Sequence, residues 1–131
     1  MKVFKSIILS LLLININFGR IWRLPEEIGG SPNSPIQSGI EDPRVAPGDT
    51  ISVRPGIYYD NIVFRGKNIV LINRTFLEGD SNPLTCIIDG SRHTRGEDSA
   101  SVITFVNDEN ESTAVIGFTI QNGGGTLGER D

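Results

Sequence analysis

The residues of this chain that could do chemistry are scattered, and few of them share a motif. Residues 107–111 hold three carboxylates, whose hard oxygens are ligands of the kind that calcium prefers. The segment lacks the glycine and the ligand spacing of an EF-hand loop, and an ordinary acidic turn between two strands explains it better. Glu97 and Asp98 form a smaller acidic pair. The sequence therefore predicts no metal site.

The single histidine and the single cysteine do not indicate a catalytic site. His93 lies between Arg92 and Thr94 in a polar stretch, where no neighbouring group would orient it as a general base. Cys86 begins a short apolar run, in which a thiol is expected to pack as a small, unreactive hydrophobe. One Cys and one His cannot complete a closed zinc site. We predict no catalytic, cofactor-binding or metal-binding residue.

Other residues could contact sugars or carry them. Tyr58 and Tyr59, with Trp22, could stack on sugar rings, although tyrosines in a strand more often pack against neighbouring layers. Two segments match the acceptor pattern for N-linked glycosylation, residues 73–75 and 110–112. This pattern is frequent by chance, and it matters only in a eukaryotic source.

Composition and charge exclude several classes of protein. The formal net charge is -4 and no cluster of Lys and Arg is present, which argues against a nucleic-acid-binding protein. Fifteen glycines and seven prolines, set among short runs rich in Ile and Val, favour strands and turns over long helices. The lone cysteine argues against a small scaffold held by disulfides.

The first 19 residues are predicted to be a signal peptide or an apolar anchor. Lys2 and Lys5 precede the apolar residues 7–14, a run that is typical of a signal peptide and shorter than the roughly 20 residues of a membrane-spanning helix. Cleavage after Gly19 would remove both lysines and take the net charge from -4 to -6. We expect a secreted or cell-surface protein in which residues 20–35 form a linker or entry segment.

Residues 36–131 are predicted to form one domain of short strands and turns. Ile36 and Ile40 are spaced as on one face of a short helix, which Pro43 and Pro47 would end. Thr50–Val53 alternates apolar and polar residues, as a strand does. Residues 69–72 are apolar throughout, which is typical of a parallel strand covered on both sides. Further strands are expected at residues 58–59, 62–64, 86–88, 102–105 and 114–120.

Two similar frames indicate a repeat. Residues 69–73 and 118–122 lie about 49 residues apart, which would suit two coils of a solenoid with roughly 24 residues each. The competing architecture is an antiparallel sandwich. Such a sandwich would have tight hairpins, but Asp89-Gly90 leads into a long polar loop and Asn122-Gly123 into further glycines.

The segment Ala46-Pro47-Gly48-Asp49-Thr50-Ile51-Ser52-Val53-Arg54-Pro55-Gly56-Ile57-Tyr58, with Asn61-Ile62-Val63-Phe64 and Lys67-Asn68-Ile69, resembles the entry coil of pectin-lyase-like proteins. Residues 87–90, 102–105 and 117–123 look like the next pieces of the same series. The resemblance implies an all-β fold: a right-handed parallel β-helix (solenoid), truncated after its first coils, with a short N-terminal capping helix. It also implies that Asn122 stacks in an internal asparagine ladder.

The same resemblance indicates the fold far better than the activity, because many enzymes and non-enzymes share this coil. Polygalacturonase-like members use clustered aspartates with Gly-His-Gly and Arg-Ile-Lys motifs, which are not present here. We therefore expect the N-terminal part of an exported protein that is non-catalytic by itself and has a cell-surface or polysaccharide-related role.

Two alternatives stay open. One is a fragment of a polysaccharide lyase or glycoside hydrolase whose active site lies beyond Asp131, and the other is an adhesin or structural surface solenoid. Polysaccharide is the expected partner. The sequence indicates no cofactor, no nucleic acid and no membrane contact beyond the first segment.

Overall fold

The computed structural model describes residues 19–97, 99–106 and 108–126. The predicted signal peptide or anchor therefore lies outside the described residues, apart from Gly19. Within the described part, no helix is long and apolar enough to cross a membrane. The elements, in chain order, are β1 (Ile21–Leu24), α1 (Pro35–Glu41), β2 (Thr50–Val53), β3 (Gly56–Tyr59), β4 (Ile62–Val63), β5 (Val70–Asn73), α2 (Arg74–Leu77), a 3-10 turn (Pro83–Thr85), β6 (Cys86–Asp89), β7 (Ser99–Ala100), β8 (Ile103–Thr104), β9 (Ala114–Ile116), β10 (Thr119–Gln121) and β11 (Gly125–Thr126).

Strands that are distant in the sequence pair in parallel. The first sheet has the order β1-β2-β5-β9, and Trp22, Ile51, Leu71 and Val115 lie side by side across it. The second sheet has the order β3-β6-β10, and the third pairs β4 with β8. β7 and β11 form a fourth, antiparallel pair. The predicted parallel pairing of residues 69–72 is confirmed, because β5 lies between two parallel neighbours.

The predicted all-β, right-handed parallel β-helix, truncated after its first coils, is wrong. The described residues form a small mixed α/β structure in which helices occur among four separate sheets of two to four strands, one of them antiparallel. No solenoid is evident in this arrangement. The all-β assignment also missed α2, where Asn73 caps a helical turn directly after β5 and its side chain accepts a hydrogen bond from the amide of Thr75.

A short helix does form at Ile36 and Ile40, as α1. Pro35 occupies its first turn, where a missing N–H costs nothing. Both isoleucines are buried, and the Gln37 side chain donates to the carbonyl and accepts from the amide of Val63. These contacts pack α1 against the ends of β1, β2 and β4. Burial of its apolar face, more than intrinsic propensity, stabilises so short a helix.

The solenoid repeat predicted from residues 69–73 and 118–122 does not match the strand pairing. β5 pairs with β9, which places Val70 opposite Ala114, whereas β10 pairs with β6. The apolar run 114–120 is divided at Gly117, whose φ of +82° is open to glycine at little cost. The two halves of the run therefore belong to different sheets.

The core joins buried side chains from all three parallel sheets and α1: Trp22, Leu24, Ile28, Ile36, Ile40, Val45, Ile51, Val53, Ile62, Phe64, Ile69, Leu71, Cys86, Ile88 and Val102.

Candidate functional site

Three polar or aromatic side chains meet at the carboxyl ends of the strands of the second sheet. Tyr59, Asp89 and Gln121 are partners in the parallel register of β3, β6 and β10. Residues in register on parallel strands share a face, so these three form a row, called here the Tyr59 row. Ile88, one position before Asp89, is fully buried in the core. The Tyr59 row therefore lies on the face of the sheet opposite the core, called here the outer face, where Gln121 is exposed, Tyr59 is half-buried and Asp89 is itself buried.

Asp89 organises the middle of the row. Its Oδ2 accepts hydrogen bonds of 2.9 Å from both Gln121 Nε2 and Asn122 Nδ2, and its Oδ1 accepts one of 2.8 Å from the Ser91 amide. Hydrogen bonds from Ser91, Gln121 and Asn122 hold the pKa of Asp89 well below its usual range. The carboxylate is thus charged at neutral pH, and it fixes the two amide side chains in place.

Arg92 extends the row towards solvent. Its guanidinium carbon lies 3.8 Å from the centroid of the Tyr59 ring, and Arg92 is exposed while Tyr59 is half-buried. This cation–π contact restrains the guanidinium, whose N–H groups can still donate hydrogen bonds to a ligand. A ligand oxygen could accept hydrogen bonds from such a preordered donor.

Apolar surface adjoins the row on the same face. Ile57 and Ile87 precede Tyr59 and Asp89 by two positions and are partners in the same register. Ile57 is 58% exposed and Ile87 is half-buried. The outer face therefore offers aliphatic surface, an aromatic ring, a guanidinium and two amides within a few strand spacings. A ligand with both apolar faces and hydroxyl groups would fit this chemistry.

The acidic loop does not form a metal site in the described part of the chain. Asn107 lies outside the described residues, Asp108 is exposed, and Glu109 accepts a hydrogen bond of 3.1 Å from the Gly66 amide. No group of three or more His, Cys, Asp or Glu side chains is placed to hold a metal ion among the described residues. Asp98 also lies outside them.

His93 and Cys86 lie in different surroundings. His93 is half-buried in the turn after β6, where its amide donates to the Gly90 carbonyl and its φ is +47°. Cys86 is fully buried, and its Sγ lies 3.7 Å from the carbonyl oxygen of Arg54. Burial raises the pKa of Cys86 to about 12. The thiol is packed in the core, as predicted, and its low reactivity stays a prediction.

The three aromatic residues considered as a sugar platform do not form one. Trp22 is buried in the first sheet, with the guanidinium of Arg20 3.6 Å from its ring centroid. Tyr58 points to the core side of the second sheet, where it packs against the hydrophobic cluster. Burial is the main cause that raises the pKa of Tyr58 to about 12. Only Tyr59 belongs to the outer face.

Sequence reasoning missed the Tyr59 row. Asp89 was expected only in a turn, and Asn122 in an internal ladder; instead Asn122 is exposed and donates to Asp89. One feature of the sequence could have indicated the row: the position of these residues at the ends of apolar runs. Polar or aromatic residues directly follow apolar runs at Tyr59, Asp89 and Gln121, and the carboxyl ends of neighbouring parallel strands meet at one edge.

Comparisons of the chain with protein families, with curated proteins and with solved structures found no match. The resemblance to pectin-lyase-like proteins stays a prediction. Any assignment of function therefore rests on the residues of this chain.

Proposed function

We propose that this chain is a non-catalytic module of an exported protein and that it binds polysaccharide at the cell surface through the Tyr59 row and Arg92. One observation carries the proposal: Tyr59, Asp89 and Gln121 lie side by side on the outer sheet face, with the guanidinium of Arg92 over the tyrosine ring. Export rests on the predicted leader in residues 1–19.

The chemistry of the surface suits a sugar chain. The C–H faces of a sugar ring pack on aromatic and aliphatic surface, which Tyr59 and the exposed Ile57 supply. Sugar hydroxyls would accept hydrogen bonds from the amides of Gln121 and Asn122, both exposed, and from the guanidinium of Arg92. The three residues lie on three neighbouring parallel strands, so the row spans two strand spacings of about 4.8 Å each.

The same residues support binding without turnover. Hydrolysis of a glycosidic bond commonly uses a pair of carboxyl groups, one of them kept protonated as a general acid. The hydrogen bonds of Asp89 lower its pKa and keep it ionised. A general acid needs the opposite, a raised pKa that keeps the carboxyl protonated. Asp60 has a raised pKa, but it is fully buried and bound to the start of α1. It could not reach a ligand on the outer face.

Affinity electrophoresis of the purified protein through gels containing neutral or acidic polysaccharides tests the proposal. We expect retardation in at least one gel. Arg92→Ala and Gln121→Ala should each weaken the apparent affinity about tenfold, which corresponds to roughly 1.4 kcal/mol. Arg23→Ala is the matched control, because Arg23 is an exposed arginine on the first sheet and its loss changes the net charge equally.

Two results would contradict the proposal. Equal retardation of Arg92→Ala, Gln121→Ala and the parent protein would exclude the Tyr59 row as the binding surface. Release of reducing ends or unsaturated sugars in the same incubations, with or without calcium, would contradict the non-catalytic assignment. Such activity would favour the alternative of a lyase or hydrolase.

A further inference from the structure

The two segments that match the N-glycosylation pattern lie in opposite environments. Asn73 is fully buried, and its Nδ2 donates hydrogen bonds of 2.9 Å to the Gly117 carbonyl and 2.8 Å to Thr85 Oγ1. Both N–H groups of the amide are therefore in use. A sugar on this nitrogen would replace one of them and would need space that a packed interior does not have. Asn73 cannot carry a glycan in the folded protein.

Asn110 is exposed, as are the two residues that complete its pattern, Glu111 and Ser112. The segment is a turn closed by the Thr113 amide, which donates 3.0 Å to the Asn110 carbonyl. The amide and the hydroxyl of Ser112 both donate to Asn110 Oδ1, as in the local turns that asparagine favours. These bonds turn Oδ1 back into the loop. Within the described residues, Nδ2 has no hydrogen-bond partner.

We propose that Asn110 is the acceptor of an N-linked oligosaccharide and that Asn73 is not. The inference rests on the proposed export and on a eukaryotic source, because the donor is a lipid-diphosphate-linked oligosaccharide that acts on exported chains. In the transfer, Asn110 Nδ2 forms a bond to C1 of the first sugar and gives one proton to a base of the transferase. The bond between C1 and the diphosphate oxygen breaks, and the lipid diphosphate leaves with the electron pair. A transferase of the cell that exports the protein catalyses the step.

The position of Asn110 is compatible with folding. Its amide donates 2.8 Å to Asn68 Oδ1, so the turn is anchored through backbone and not through Nδ2. The loop precedes β9 of the first sheet, whereas the Tyr59 row ends the strands of the second sheet.

The test is expression of the full chain in cultured eukaryotic cells, once with its own first 19 residues and once with an established secretion leader in their place. Peptide mass mapping, before and after enzymatic removal of N-linked glycans, gives the occupied position. We expect one glycan, at Asn110. It should be lost in Asn110→Gln and Ser112→Ala and kept in Ser112→Thr, because Thr preserves the pattern. Asn33→Gln is the matched control, since Asn33 is exposed and outside any such pattern.

The two leaders separate the two proposals. Glycosylation with the established leader but not with the natural one would contradict export and leave Asn110 as the acceptor. Secretion of an unmodified protein with the established leader, or a glycan on Asn73 of the secreted protein, would overturn the assignment. A variant retained in the cells is analysed in the cell extract, because the sugar is added before export.

Discussion

The indole Nε1 of Trp22 donates a hydrogen bond of 2.9 Å to Oδ2 of Asp49. Asp49 also accepts bonds of 2.9 Å from the amides of Ala46 and Arg20, so one carboxylate fixes the first strand against the turn before β2. Burial acts to raise the pKa of Asp49, but the hydrogen bonds from Ala46, Trp22 and Arg20 outweigh it and lower the pKa below its usual value. The ionised form is therefore the one that stabilises the fold.

Replacement of Asp49 should destabilise the protein in a pH-dependent way. We expect Asp49→Ala to lower the free energy of unfolding at pH 7 by about 2–4 kcal/mol, because it leaves buried donors without an acceptor. A lowered folded-state pKa gives stability that is present above the unfolded-state pKa of about 3.9 and is lost as the pH falls through the folded-state value. Urea denaturation from pH 7 down to pH 2 measures the difference from the parent. Glu111→Ala, at an exposed site, is the control, and a difference that stays constant with pH would contradict the role of the carboxylate.

Asp60 should show the opposite dependence on pH. Its Oδ2 accepts from the amides of Ile36 and Gln37 at the start of α1, while its buried Oδ1 has no partner among the described residues. Burial raises the pKa of this carboxyl. A raised folded-state pKa favours the protonated form, so the contribution to stability is present below the unfolded-state pKa and is lost as the pH rises through the folded-state value.

Asp60→Asn should therefore stabilise the protein at neutral pH. The amide oxygen of Asn can keep both bonds to α1 while the buried charge disappears, and we expect a gain in the free energy of unfolding at pH 7 that shrinks towards pH 3. Asp60→Ala removes the acceptor as well, and should cost about 1–3 kcal/mol. Urea denaturation at both pH values distinguishes the two. A loss of stability in Asp60→Asn at pH 7 would show that the negative charge itself is needed.

Gly117 should not tolerate a side chain. Its φ is +82°, and a Cβ at this position would lie 2.6 Å from the Phe76 ring. We expect Gly117→Ala to cost at least about 2 kcal/mol, the sum of backbone strain and overpacking. Gly79→Ala separates the two causes, because Gly79 has a φ of +90° and no atom within 4 Å of its Cβ position. Thermal unfolding of both variants gives the comparison; equal losses would mean that Phe76 moves aside without cost.

The sequence predicts local features of this fold better than its architecture. Thr50–Val53 was assigned from its alternation, and the parallel pairing of residues 69–72 from an unbroken apolar run, because both patterns report the immediate surroundings of a strand. The fold class was predicted wrongly because strand pairing depends on contacts between distant segments, such as Val70 with Ala114. Short apolar runs separated by Gly and Pro are compatible with more than one arrangement of sheets and helices.

The candidate site was missed for the same reason. Tyr59, Asp89 and Gln121 are separated by about 30 residues each, and only the register of β3, β6 and β10 brings them together. A shift of one residue in any strand would turn its side chain to the other face. Asn73 and Asn110 match the N-glycosylation pattern equally well, and only the burial of Asn73 distinguishes them. Long-range register and burial are the two properties that local patterns do not specify.

Cys86 should react with thiol reagents only when the protein unfolds. Its side chain is fully buried and burial raises its pKa to about 12, so both access and the thiolate fraction are small in the native state. We expect labelling in native buffer at pH 8 to be at least roughly a thousandfold slower than in urea, with the rate rising in step with unfolding. Cys86→Ser combined with Ser91→Cys moves the thiol to an exposed turn and is the control, which should label rapidly. Rapid labelling of Cys86 in a protein that keeps its native spectrum would mean that β6 opens locally without global unfolding.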